Sequence, residues 1–194
     1  TFFVYALQWG GYVYKMPLIQ LARVVGAITP AGLQEYIQAC LSLGKFDKAQ
    51  EAYIELFQKT QNPEVASQLA QLQTRLGDLD SAIKTYEFYL KTGGKDATTI
   101  FHYAEILERR GDIAGATKYY QASLDAKPDV LNVSAHAGLV RILKKKKKWT
   151  EAYEYIAKFQ STSEQAKGYL NTELVQLEKQ IEPKVLKRLA RHDD

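Results

Sequence analysis

The sequence predicts an all-α fold, a stack of antiparallel helical hairpins, and three observations predict it. A glycine, an alanine and a large apolar residue recur at fixed offsets along the chain. Prolines stand where helices are expected to begin, at Pro17, Pro30 and Pro63, because a first helical position needs no N–H and suits the fixed φ of proline. The single cysteine, Cys40, excludes an intrachain disulfide framework, so apolar burial has to hold the fold together. At 194 residues with 46% apolar content, the chain is long enough for one ordinary domain or a short repeat array.

Residues 1–28 stand apart, with 19 apolar or aromatic side chains among them. Phe2, Phe3, Val4, Tyr5, Leu7 and Trp9 lead to a break at Gly10-Gly11. After Pro17, residues Leu18, Leu21, Ala22, Val25 and Ile28 share one face of an amphipathic helix. Residues 1–29 are expected to form a hydrophobic hairpin that caps the array. The alternatives are a segment that docks on a membrane or a membrane-bound partner, with aromatics beside Lys15 as an interfacial belt, or one that fills the groove of a second copy. No run of 18 apolar residues supplies a complete span. The missing initiator methionine suggests a processed or excised piece, with room for an upstream tether.

The period is clearest at Gly111-Asp112, followed by Ala116 and Tyr120 and closed by Pro128. Gly111 tolerates the positive φ that ends a helix, and Asp112 is placed to cap the next one. The same spacing appears at Gly44 with Ala49 and Tyr53, and at Gly77 with Ala82 and Tyr86. It appears once more at Lys147 with Ala152 and Ile156, where lysine in the glycine position needs a different or strained turn.

With a period near 34 residues, this set resembles the tetratricopeptide repeat, a helix-turn-helix unit. The resemblance covers about residues 30–162 as four repeats and implies a right-handed helical-hairpin solenoid. First helices are expected over 30–43, 63–76, 97–110 and 133–146, and second helices over 47–60, 80–92, 114–126 and 150–160. The first and fourth copies depart from the family at two packing positions, where Ile37, His136 and Val140 stand. The tail, residues 163–194, is expected to carry a capping helix over 163–181 with Leu170, Leu174, Leu177 and Ile181 as its stripe, then a Pro183 break and a basic end.

Little here suggests catalysis. His102, His136 and His192 form no metal-ligand spacing with Cys or carboxylates, and no phosphate-binding glycine loop is present. His136 and Cys40 are expected to pack. The sequence implies no enzyme, no metal and no cofactor. Charge is uneven: residues 1–34 carry +2, residues 35–140 carry −3 and residues 141–194 carry +5. The run Lys144–Lys148 suits a helix C-terminus through its dipole, or else an acidic partner, an anionic lipid or, least, nucleic acid.

What the resemblance implies is a concave groove lined by first helices, binding an extended peptide or a helix. Its contact positions fall on Gln34, Gln38, Ser67, Gln71, Thr74, Arg75, Phe101, Glu105, Glu108, Arg109, Arg141, Lys144 and Lys145. Phe101 is either a partner anchor or a packing residue. The Lys and Asn clamp of the chaperone-tail receptors is absent, since Ser67, Gln71, Phe101 and Glu105 occupy those positions. The function expected is a non-catalytic scaffold for a protein partner. The alternatives are a membrane-tethered assembly factor that recruits an enzyme or export component, and a regulatory domain of a larger enzyme. Self-association is also open, no nucleic acid is expected, and neither partner nor compartment is named by the residues.

Overall fold

A computed structural model describes residues 28–126, 133–162 and 168–189, together with 23, 26 and 166. Apart from residues 23, 26, 28 and 29, the expected N-terminal hairpin lies outside the described residues, as do Pro128, His192 and the last part of the basic tail. The described residues are all helix and turn, and chain contacts divide the protein into two units, residues 1–94 and 95–194.

The first unit holds α1 (Pro30–Ser42), α2 (Phe46–Thr60), α3 (Pro63–Leu76) and α4 (Leu79–Lys91). Each packs on the next, α1 on α2, α2 on α3 and α3 on α4. The helix starts follow from local chemistry. Thr29 and Asn62 accept backbone N–H groups ahead of Pro30 and Pro63, satisfying donors that the first turn leaves orphaned. Fully buried Leu33, Ile37, Cys40 and Leu56 form the core with Tyr36, Tyr53, Val65 and Leu69. Each large side chain removed from water here stabilises by roughly 2–3 kcal/mol. Cys40 is buried as expected, and burial pushes its thiol up. Arg23 and Ile28 meet α2: the Arg23 Nε donates to Glu55 Oε2 at 2.7 Å, and Lys59 Nζ donates to the Ile28 carbonyl at 3.2 Å. Burial opposes the charge on Glu55, but Arg23 and Lys59 outweigh it and hold the carboxyl below its ordinary value.

The second unit holds α5 (Ala97–Arg110), α6 (Ile113–Ala126), α7 (Val133–Lys145), α8 (Trp149–Ser161), α9 (Asn171–Glu178) and α10 (Pro183–Leu189). Packing is again between chain neighbours, from α5 on α6 through to α9 on α8. Asp96 opens α5 by accepting from the Thr99 N–H, and Asp112 accepts from the Gly115 N–H ahead of α6. Buried Val140, Ala152, Ile156 and Leu177 form one cluster, with Leu143, Trp149, Leu170 and Leu174 packed against it.

The hairpin turns share one backbone device. An N–H two or three residues past the helix bonds to a carbonyl five residues back: Lys45 to Cys40, Asp78 to Gln73, Asp112 to Leu107 and Lys148 to Leu143. This closure needs a left-handed residue, supplied by Gly44 at φ 68°, Gly77 at 82° and Gly111 at 86°. In the fourth turn Lys147 takes that conformation at φ 56°, so the turn keeps its shape and strains the lysine.

One expected element differs. The tail does not form a single helix over 163–181. Gly168 at φ 91° and Leu170 at φ 62° turn the chain, so α9 starts only at Asn171. Leu177 and Ile181 are nonetheless buried, and Pro183 opens α10.

Candidate functional site

The densest polar arrangement in the second unit centres on Glu108, near the end of α5, whose side chain is 5% exposed. Arg141, on α7, grips it with two nitrogens: Nε lies 3.0 Å from Oε1 and Nη2 lies 2.8 Å from Oε2. Lys145, one turn further on α7, donates to Oε1 at 2.5 Å. Tyr120, on α6, donates its hydroxyl to Oε2 at 2.9 Å and accepts from Arg141 Nη2 at 3.0 Å. Three helices therefore meet at one carboxylate.

Burial alone would favour the neutral acid. The hydrogen bonds from Arg141, Lys145 and Tyr120, with the charge of Arg141, outweigh it and bring Glu108 down to about 2. The same contacts work in reverse on the partners. Burial and the Glu108 carboxylate push the Tyr120 hydroxyl well above its usual range, and the bond to Glu108 raises Arg141.

Tyr120 is fully buried and organises its surroundings. Phe101, on α5, packs with its ring 5.7 Å from that of Tyr120. On α7, Gly138 gives the ring room, since a Cβ there would stand 2.6 Å from it. Spacing alone singled out neither Gly138 nor the role of Tyr120. The available signal was a glycine six residues into the fourth repeat, facing the aromatic of the third.

The candidate residues fall into three groups. Gln34, Gln38, Arg75, Arg109, Arg141 and Lys145 are exposed, and Gln71, Thr74, Phe101, Glu105 and Lys144 are half-buried. Ser67 and Glu108 are buried, which takes their side chains away from direct contact with solvent. Gln71 donates to Ser67 at 3.4 Å, Glu105 pairs with His102 at 3.2 Å, and Lys144 donates to Gln176 at 3.1 Å. Phe101 takes the packing role on Tyr120 while keeping part of its surface open. His136 packs as expected, 4.0 Å from the Phe159 ring, with Nδ1 2.7 Å from the Tyr155 hydroxyl. Burial lowers His136 and pushes Tyr155 up to about 12. Among the described residues no group of three or more His, Cys, Asp and Glu is arranged to hold a metal ion. Nor is any described helix long and apolar enough to cross a membrane.

The tetratricopeptide repeat family model matches residues 38–97 and again residues 67–130. The chain carries tetratricopeptide repeats. Solved structures agree on the fold. A tetratricopeptide repeat protein from Parabacteroides merdae shares 17% identity at a TM-score of 0.69, over 90% of this chain and 69% of that one. YrrB, described as a TPR protein with an unusual peptide-binding site, shares 11% at 0.68, over 91% and 87%. MamA from Desulfovibrio magneticus RS-1 shares 15% at 0.65, over 84% and 91%. No curated protein matches the chain by sequence. At these identities the tetratricopeptide likeness is one of fold, and the side chains on each first helix are this chain's own.

Proposed function

We propose that this tetratricopeptide-repeat protein is a non-catalytic scaffold that captures a partner protein on the first helices of its hairpins, α1 and α3 within the first unit and α5 and α7 within the second. The observation that carries the reading is the two-sided character of those helices. Each buries one stripe, such as Leu33, Ile37 and Cys40 on α1 or Ala135, Leu139 and Ile142 on α7. Each leaves a polar set open at the positions that contact ligands in this family, including Gln34 and Gln38 on α1 and Thr98 and Arg109 on α5. A helix with an open polar face on a packed hairpin suits peptide capture, with a few anchors giving affinity and charges giving selectivity. Partly open Phe101 is the aromatic anchor in this set, and Arg141 and Lys145 are the cations. Glu108 acts from beneath by holding both cations in place. The half-open Phe101–Tyr120 stack makes Phe101→Ala a structural change, so it is a poor test of binding.

Photocrosslinking tests the face directly. A crosslinking residue placed at Gln38, Thr98 or Ser134, all exposed on first helices, is expected to trap a partner from the native lysate. The same residue at Lys84 or Lys118, exposed on second helices, is expected to trap none. Crosslinks confined to the second helices would reject the proposal.

A further inference from the structure

The fourth hairpin turn departs from the two before it in a way that packing does not explain. Turns two and three pair a glycine in the left-handed position with an aspartate that caps the following helix: Gly77 with Asp78, and Gly111 with Asp112. Turn four puts Lys147 in the left-handed position at φ 56° and Lys148 at the cap, where its side chain accepts no helix N–H. Both choices forgo local stability, since an L side chain resists that conformation and a lysine cannot accept the orphaned N–H groups. Strain retained at an exposed turn points to a use for the side chains that cause it.

Those side chains complete a cluster of six cations, Arg141 and Lys144–Lys148, within about two turns of α7 and its end. The carboxylates they meet are Glu108 and Glu151. The excess of +4 equals the formal net charge of the whole chain. Lys145, Lys146, Lys147 and Lys148 are all exposed. The neighbouring apolar residue, Trp149, packs against the cluster of Val140, Ala152 and Ile156. It is thus turned away from the role of a wedge for a bilayer or a stacking platform for bases. Carboxylate is also the chemistry this cluster already grips: Arg141 and Lys145 hold Glu108, and Lys148 holds both oxygens of Glu151, at 2.9 and 3.0 Å.

We propose that the end of α7 and its lysine turn form a docking surface for an acidic, Asp/Glu-rich segment of a partner protein. The inference rests on the partner-binding reading above and names the chemistry of the partner. Arg141 and Lys145, fixed by Glu108, form the ordered edge of the surface. Lys146 to Lys148 form its exposed tip, where long-range attraction raises the rate of encounter.

The test uses the full chain and a fluorescein-labelled octaglutamate peptide at low salt. Octalysine, phosphatidylserine vesicles and a single-stranded DNA oligomer are run in parallel. Octaglutamate is expected to bind, to weaken as salt rises, and to lose about tenfold in affinity in Lys147→Gly/Lys148→Asp. That variant restores the turn of the second and third repeats, so its melting temperature is expected to rise by about 2–6 °C. Lys146→Gln alters charge without touching the left-handed residue, and is expected to weaken binding with no change in melting temperature. Tighter binding of vesicles or DNA than of octaglutamate would overturn the proposal in favour of lipid or nucleic acid. Octaglutamate affinity unchanged in both variants, or no binding by any polyanion, would overturn it by leaving the lysines as a solvated helix end. First-helix crosslinks that persist under either of those results would show that only the acidic-segment inference has failed.

Discussion

Glu108 is a groove position by its place in the repeat and a buried anchor by its contacts. The sequence shows an acid near the end of a helix, and two cations 33 and 37 residues later. Only packing of α5, α6 and α7 reveals that these three side chains and Tyr120 converge. The pH dependence follows from the sign of the shift. Glu108 lies at about 2 in the folded protein, below its ordinary value near 4.5. Its stabilisation is therefore full above pH 4.5 and is lost as pH falls towards 2. The shift corresponds to roughly 3 kcal/mol, reduced by whatever water the half-exposed Arg141 and Lys145 admit. Glu108→Gln should flatten the acid limb of a urea-stability profile between pH 5 and 2, and lower stability at pH 7 by about 1–3 kcal/mol. An acid limb unchanged in the variant would place the acid sensitivity elsewhere.

Elements repeat the same local rules, and their limits are legible where those rules are strong. Glycine or proline marks several hairpin helix boundaries, because each acts through its own backbone: Pro30 and Pro63 at starts, Gly77 and Gly111 after ends. The strain at Lys147 was foreseeable for the same reason, since the turn shape is common to all four copies and the residue is not. The tail was less legible. Its stripe of Leu170, Leu174 and Leu177 is periodic, but Leu170 stands in a left-handed turn ahead of α9. Periodicity reports a shared apolar destination, and a turn residue packing on α8 satisfies that as well as a helical one does. Caps separate the copies further. Asp112 accepts from the Gly115 N–H at 2.9 Å, whereas Lys45 and Lys148 make no such bond. Asp112→Ala is expected to cost about 1 kcal/mol in urea unfolding. A loss below a few tenths would show that water satisfies those donors equally well.

On the scale of each unit, stability is a sum of local interfaces, because helices within a unit pack on their neighbours in sequence. Ile156 is fully buried against Val140, Ala152 and Leu177. Ile156→Ala should cost about 2–4 kcal/mol. In hydrogen exchange the lost protection is expected in α7, α8 and α9, with α1 and α2 unchanged. Uniform loss along the chain would mean that the array unfolds as one cooperative body.

Helical class, repeat length, the limits of the hairpin helices and the turns within the hairpins came from residues acting through their own backbone and near neighbours. Tertiary structure decided which polar groups are free and which are spent. Ser67 shares its repeat position with open Gln34, and Glu108 shares its own with half-buried Thr74 and Lys144, yet packing buries both. The physical reason is range. A turn or a cap is settled within about five residues, whereas the environment of a carboxylate depends on side chains one repeat away, which meet it only when hairpins stack.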